Sequence, residues 1–534
     1  MKMHSMALAI VRGWKKLILA GVLMPGVAIC EAGETDSKGG DAGAVPPPLR
    51  PVATAVANAM SFLKALDGDY VPGKPSGELA SYFSNAFMGT DGVRSTRDIV
   101  YPARLHSYFI RAFLRCHTYT GDREWLLRAK DLGDWNIAHS TPADAVYPNL
   151  AYPTFEKGNP GGHTDKNNIQ PDKSAFLGSA YLMLYEVTGE KRYLEAARKV
   201  AETLVSRQRE DGSWPFRVDP QTGVVAQDRG GAPVDFVEFF EQLQRHDKKP
   251  AYAKAHDKAL AYMLARNVGQ GQWGTYHEDV GNRKDTHLSA EPTTLTADYL
   301  FRHADTHPEY LEMGRRILKQ MEDRLVHTEG HGAAPAPAVA EQDGFEHIMS
   351  GHTARYGAAL ADLYLLTGDE AIKRRALSVL NAVTHMQTGE GVFVTFYYNA
   401  KKPAGSTKKK PVGDLETDRV WFSQHLFSVY YLLGCMAAFP ELAPDGESHI
   451  LGSSVELRDV SYRPGSVHYV APLAAQVGVK LAFVPKVVTL GDAPLSKLEK
   501  RPMANETGWG FDPATNVLTL CHDAGRVGIM KQEE

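Results

Sequence analysis

The feature that most constrains this chain is a short turn that recurs along it. Thr120-Gly121-Asp122, Thr188-Gly189-Glu190 and Thr367-Gly368-Asp369 are near copies, and Asp247 and Thr306-His307-Pro308-Glu309 fall at the intermediate positions. The interval is about sixty residues, and a fixed period of that length marks a repeat architecture. The segments on either side of each turn differ in kind. Phe176 to Tyr185 is apolar on all sides, as in a helix buried all round. After the next turn, Leu194, Ala197, Val200, Ala201, Leu204 and Val205 form one stripe, with Glu195, Arg198, Lys199 and Glu202 opposite. That is a surface helix with one buried face.

The same contrast recurs along the chain. Buried-type segments lie near 104–119, 173–187, 234–246, 292–305, 352–366 and 421–438. Amphipathic ones lie near 52–66, 123–138, 191–208, 251–267, 309–326 and 370–387. One helix pair cannot cover its own apolar face, but stacked neighbours can. Because the first segment is amphipathic and the last is buried-type, the two ends can pair and close a ring. The expected fold is mainly α: an (α/α)6 toroid of six helical hairpins over residues 52–443. Beyond it the pattern changes. Val467 to Val470, Val479 to Val484 and Val517 to Leu520 are strand-like, so residues 444–534 are expected to form a small antiparallel β domain.

The N-terminal thirty residues predict a signal peptide. Lys15 and Lys16 flank an apolar run from Leu17 to Ile29, too short for a transmembrane helix. Cleavage near Ala28 to Ala32 is expected, with lipidation at Cys30 as the alternative, and residues 31–51 read as a flexible linker. The location implied is periplasmic or extracellular, with no membrane association beyond the export signal. A formal net charge of -4 without a clustered basic face gives no support for nucleic-acid binding. Four cysteines are too few for a disulfide scaffold, although Cys116 and Cys435 fall at similar depth on the first and last buried helices. A ring makes those two neighbours, and oxidation would join them.

Inner-to-outer connections are short. Outer-to-inner connections are long, at 67–103, 139–172, 209–233, 268–291, 327–351 and 388–420. All six gather at one rim, over the positive N-terminal ends of the inner helices. The catalytic candidates on that rim are Asp172, Asp235, Tyr276, His277, Glu291 and His352. The substrate-binding candidates are Arg104, His163, Trp214, Arg217, Arg229, Trp273, Arg355, Tyr397, Trp421 and His425. Aromatic rings stack on sugar faces, and carboxylate, His, Tyr and Arg groups supply acid–base chemistry and anion binding. Each has a bland counterpart. Asp172, Asp235 and Glu291 suit helix first turns, and Trp214 and Trp273 suit gaps between hairpins. No cofactor is called for; acidic loops leave calcium open, but none carries a metal-ligand signature.

This organisation resembles the six-hairpin toroid enzymes that act on glycans, the (α/α) polysaccharide lyases and related glycoside hydrolases. The resemblance covers about residues 52–440 and rests on repeat length and helix alternation. Gln208-Arg209-Glu210-Asp211-Gly212-Ser213-Trp214-Pro215 is similar to the Gly-x-Trp element of other toroids, with weaker echoes at Gly271-Gln272-Trp273-Gly274 and at 387–393. The Asp-x-Asp-Asp acids of triterpene cyclases and the Trp-Gly-Arg-Gly segment of unsaturated glucuronyl hydrolases are missing from the sequence. Three functions are therefore expected in order, an exported polysaccharide-degrading lyase first and the other two as its alternatives. One is a lyase cleaving a uronic-acid polymer by β-elimination, with Arg217, Arg229 or Arg355 neutralising the carboxylate and His277, His352 or Tyr276 moving the protons. Another is a glycoside hydrolase using two carboxylates among Asp172, Asp235 and Glu291. The last is a non-catalytic glycan-binding protein. All three imply a polysaccharide or oligosaccharide partner.

Overall fold

The computed structural model describes residues 47–65, 87–88, 99–100, 102–156, 159–160, 167–273, 285–328, 337–394, 420–500, 502 and 506–531. The expected signal peptide and Cys30 lie outside them.

Among the described residues the repeating turn has a physical explanation. Gly121, Gly189 and Gly368 are left-handed, with φ of 71°, 72° and 66°, and each ends a helix by donating its N–H to the carbonyl four residues back. The threonine before each glycine bonds back into the helix, as from Thr120 Oγ1 to the Cys116 carbonyl at 2.7 Å. It also accepts from the N–H of the following acid, as from Asp122 at 3.2 Å. Asp122 and Asp369 then accept from Glu124 N and Ala371 N, capping the next helix. One tripeptide thus stops a helix, turns the chain and starts another.

Twelve α-helices result among the described residues. The outer ones are α1 (Val52–Ala65), α3 (Arg123–Ala138), α5 (Lys191–Arg207), α7 (Pro250–Tyr262), α9 (Glu309–Leu325) and α11 (Glu370–His385). The inner ones are α2 (Ser107–Thr120), α4 (Pro171–Thr188), α6 (Pro233–Gln244), α8 (Ala290–His303), α10 (Ser350–Thr367) and α12 (Phe422–Cys435). A π-helical turn, Pro102–His106, leads into α2, and another, Met263–Gly269, extends α7. The inner helices touch in the order α2, α4, α6, α8, α10, α12 and back to α2, while α1 packs on α11 and α12. The ring therefore closes as an (α/α)6 toroid around one continuous apolar core.

Nine strands follow. They are β1 (His449–Ser453), β2 (Arg458–Arg463), β3 (Ser466–Ala471), β4 (Ala475–Lys480), β5 (Pro485–Leu490), β6 (Ala493–Pro494), β7 (Gly508–Asp512), β8 (Val517–His522) and β9 (Gly525–Lys531). They form a four-stranded sheet, β1-β4-β8-β7, and a five-stranded sheet, β2-β3-β9-β5-β6, with every pair antiparallel. Inward residues such as Val467, Tyr469, Val477, Leu518 and Ile529 make a second, separate core. One strand expectation is corrected: the run from Val479 to Val484 is mostly a turn, because β4 ends at Lys480. The buried Lys480 ammonium is anchored there on the Ala443 carbonyl and Asp445.

These sheets seat on the turn end of the ring. His449 stacks on Tyr119 at 4.0 Å, Tyr462 donates to the Thr118 carbonyl, and Arg458 donates to the Glu186 carbonyl. The β region thus closes the end of the toroid away from the long loops. Cys116 and Cys435 sit on adjacent inner helices, α2 and α12, as buried free thiols and not as a disulfide. Burial pushes the Cys116 thiol up to about 12.

Candidate active site

Each inner helix offers its first turn to the rim. In α4 and α6 a proline sits at the start and an aspartate follows, Pro171-Asp172 and Pro233 to Asp235; in α8, Glu291 precedes Pro292. First-turn acids often cap their own helix; Asp172 does so in part, its Oδ1 accepting from Lys173 N at 2.9 Å, whereas Asp235 and Glu291 do not. The cap positions are held by Gln170, Ala232 and Ser289, without side-chain cap bonds. The acids turn instead toward neighbouring elements.

Arg104, on the π-helical turn ahead of α2, bridges two of them. Its Nη1 donates to Asp235 Oδ2 at 2.7 Å, and its Nη2 donates to Glu291 Oε1. Glu291 Oε1 also accepts from the Tyr108 hydroxyl and, at 3.3 Å, from Arg355 Nη2. Arg355 continues the network through Tyr431 OH at 3.1 Å and His352 Nδ1 at 3.4 Å. His352 Nε2 faces Gln424 Nε2 at 3.4 Å. All six inner helices thus contribute to one buried polar cluster, α4 through the Phe176 ring, which lies 4.1 Å from the Arg104 guanidinium.

The two carboxylates are driven in opposite directions. Burial pushes Asp235 up to about 7; Arg104 pulls against this, while Asp172 and Glu291 add like charge. Burial also pushes Glu291 up, but Arg104, Arg355, His352 and the Tyr108 hydroxyl outweigh it, so its carboxyl lies well below the ordinary range. One oxygen of each group stays outside the bridge. Asp235 Oδ1 is buried without a hydrogen-bond partner, and Glu291 Oε2 takes no hydrogen bond among the described residues. A protonated acid and an ionised carboxylate, held by one guanidinium with an oxygen spare on each, are a pair able to do acid-assisted displacement at a sugar carbon.

Asp172 stands beside this pair. Its Oδ2 accepts from Ala232 N at 3.1 Å and lies 3.2 Å from Lys173 Nζ. Gly231 makes the fit, since a Cβ there would stand 2.9 Å from Asp172 Cβ. Next to it the hairpin of Pro215–Val218 and Val225–Gly230 presents Phe216. Arg229, Lys173 and Arg217 surround that ring at 4.2, 4.9 and 5.3 Å. Arg217 also donates to Gln227 Oε1 at 3.1 Å.

The structure therefore brings together Arg104, Asp172, Asp235, Glu291, His352 and Arg355, and places Arg217 and Arg229 on the adjacent hairpin. It takes three candidates away from any sugar surface. Trp214 is 1% exposed, stacks on Phe236 at 4.0 Å and donates its indole N–H to the Leu204 carbonyl. It plugs the gap between hairpins. Trp273 is likewise buried, in the main core. His425 accepts from Phe393 N at 3.0 Å between the Phe62 and Phe393 rings, and burial pushes its imidazole down to about 3. It is a neutral pin for the last inner helix. His163, Tyr276, His277 and Tyr397 lie outside the described residues, and Trp421 is described only as backbone, paired with Phe87.

Tyr108, Lys173, Phe216, Gln424 and Tyr431 belong to the cluster and were not singled out from sequence. Tyr108 carried a usable signal, one helical turn beyond Arg104; Phe216 carried none. Among the described residues there is no group of three or more His, Cys, Asp or Glu placed to hold a metal ion.

The sequence matches no protein-family model and no curated protein. Solved structures do match in fold. A D-mannose isomerase superposes with a TM-score of 0.53 at 13% identity, covering 72% of this chain and 97% of that one. A cellobiose 2-epimerase from Bacillus thermoamylovorans gives 0.52 at 13%, covering 71% and 99%. Another from Spirochaeta thermophila gives 0.50 at 14%, covering 74% and 100%. At such identities the similarity speaks for the shared toroid fold.

Proposed function

We propose that this chain is an exported enzyme that cleaves an acid-bearing polysaccharide, and that it does so by hydrolysis. Asp235 is the proton donor and Glu291 the carboxylate that meets the anomeric carbon. The observation that carries this reading is the single arginine, Arg104, joining a carboxyl raised to about 7 to one held far below the ordinary range. Two acids with separated proton affinities are what glycosidic hydrolysis requires.

The residues then divide the work. Asp235 gives its proton to the leaving glycosidic oxygen as the bond to the anomeric carbon breaks. Glu291, through Oε2, forms a bond to that carbon and takes up its positive charge. Water then attacks the carbon, the bond to Glu291 breaks, and ionised Asp235 takes the proton of that water. Glu291 is a weak base because three donors hold it, which suits a nucleophile or fixed counter-charge better than a proton acceptor. Lys173, Arg217 and Arg229 around Phe216 favour a substrate carrying carboxylates. Fold similarity to proteins described as sugar isomerases and epimerases agrees with a sugar-sized mouth.

A second reading, β-elimination on a uronate, draws on Arg217 and Arg229 beside the cluster. Arg355, its other candidate for neutralising a uronate, is already engaged with Glu291. Purified protein incubated with polyuronates and neutral glycans decides between them. New reducing ends without new ultraviolet absorbance are expected. Reducing ends accompanied by absorbance would establish elimination, and neither signal on a broad panel would leave a binding protein. The export proposal rests on Lys15, Lys16 and the apolar run after them. It predicts a mature N-terminus near Ala28 to Ala32 by mass spectrometry.

A further inference from the structure

Beneath the polar cluster the ring encloses a second compartment. A cavity of about 360 Å³ runs along the axis between the inner helices and the β region, floored by Gly452, Ser453, Gln476 and Gly478. Its volume lies within the range of small-molecule sites, roughly 300–1,000 Å³. Ser453 is exposed, so the cavity reaches solvent at the seam between ring and sheets. Phe176, with Tyr108 and Tyr431, forms the wall it shares with the cluster above; Arg104 lies 4.1 Å from the Phe176 ring on the cluster side and Arg111 4.1 Å from the same ring in the cavity wall.

The charges in this wall do not cancel. Arg302 is paired with Asp298 and Glu238. Asp362 shares a hydrogen bond with Asp298; burial and the Asp298 charge push its carboxyl well up, against the pull of Arg302 and Arg115. Arg111 and Arg115 are left without an ion pair among the described residues. Arg111 is 8% exposed, donates only to the Phe176 carbonyl at 3.3 Å, and keeps its Nε buried without a partner. Arg115 donates to the Tyr430 carbonyl at 3.1 Å. The acid near both is Glu456, which burial pushes up to about 7. A buried guanidinium without a counter-ion is costly unless something anionic joins it.

We infer that the axial cavity is a second binding site, separate from the cleaving cluster, that accepts a small carboxylate-bearing molecule of about one sugar ring, held by Arg111 and Arg115. A free uronic acid has that size and charge, and is also what cleavage of an acidic glycan would release. The site does not depend on the hydrolytic reading, because its residues are distinct from Asp235 and Glu291.

Calorimetric titration of the full chain with glucuronate, and with glucose as the neutral control, tests this. Wild-type protein is expected to bind glucuronate and not glucose at this site. Arg111→Met keeps the stem against Phe176 and is expected to weaken that event by about tenfold to a hundredfold, the worth of a charged hydrogen bond. Ala361→Leu, which fills the cavity from α10, is expected to weaken it as well, so a folding failure of one variant does not end the test. Arg229→Met, on the rim, is expected to leave it intact. Equal binding of glucose, loss in Arg229→Met with retention in Arg111→Met, or no binding in the millimolar range would each overturn the inference. Glycan turnover, measured separately, reports on the cleaving cluster alone.

Discussion

Replacing Asp235 by Asn freezes the group in a shape close to its protonated form. Asn keeps an oxygen for Arg104 Nη1 and carries an amide where the acid carries its hydroxyl, but it cannot deliver a proton. Loss of a general acid lowers turnover by about 10²- to 10⁴-fold. Stability should move the other way. The folded group titrates near 7, and an unfolded aspartate titrates near about 3.9. The folded state therefore holds the proton more tightly, and wild-type stability falls as pH rises between those values. At about 1.4 kcal/mol per pH unit, the wild type should lose about 2–3 kcal/mol relative to Asp235→Asn between pH 5 and pH 8, nearly all of it below pH 7. Denaturant unfolding of both proteins at several pH values measures this, and turnover is read in parallel. The wild-type rate should also fall above about pH 7 as the acid ionises. Parallel stability profiles, or an Asn variant that turns over normally, would refute the assignment of Asp235 as a buried proton donor.

Two further substitutions separate structure from chemistry. Gly231→Ala sets a methyl 2.9 Å from Asp172 Cβ, so it should cost about 1–3 kcal/mol of overpacking and lower turnover by displacing Asp172 from Ala232 N; thermal unfolding and kcat measure the two effects. Trp214→Ala should cost about 3–5 kcal/mol of stability, while the protein that remains folded keeps its glycan affinity.

The ring was legible in the sequence because its cause is local and repeated. Thr-Gly-Asp carries both a left-handed helix stop and an N-cap in three residues, so each copy reports a hairpin without reference to the rest of the chain. The acids Asp172, Asp235 and Glu291 were legible for the same reason, since each marks the start of an inner helix. What they touch was not. Arg104 meets Glu291 across 187 positions of chain, and no local pattern specifies that pairing. The tryptophans carried two readings, a sugar platform and a filled gap between hairpins, and the second is the one the structure shows. A tryptophan after a glycine turn presents the same letters whether it stacks on a sugar or fills a gap, and only the Phe236 ring and the Leu204 carbonyl decide for the gap. His425 likewise sits on a first turn as His352 does. The difference lies in what surrounds each, Phe62 and Phe393 in one case and Arg355 with Gln424 in the other.

Charge balance ties the cluster to the kind of ligand it can meet. Below about pH 7 Asp235 holds its proton, so among the described residues Arg104 and Arg355 share the single carboxylate charge of Glu291, which leaves these groups net positive. On the proposed hydrolytic reading that charge, with the cations around Phe216, draws an anionic chain toward the mouth in the same pH range in which Asp235 still holds its proton. Ionisation of Asp235 removes the acid and weakens the attraction together, leaving the cations around Phe216. On that reading proton donation and attraction of an acidic glycan share one control, the buried Asp235 beside Arg104.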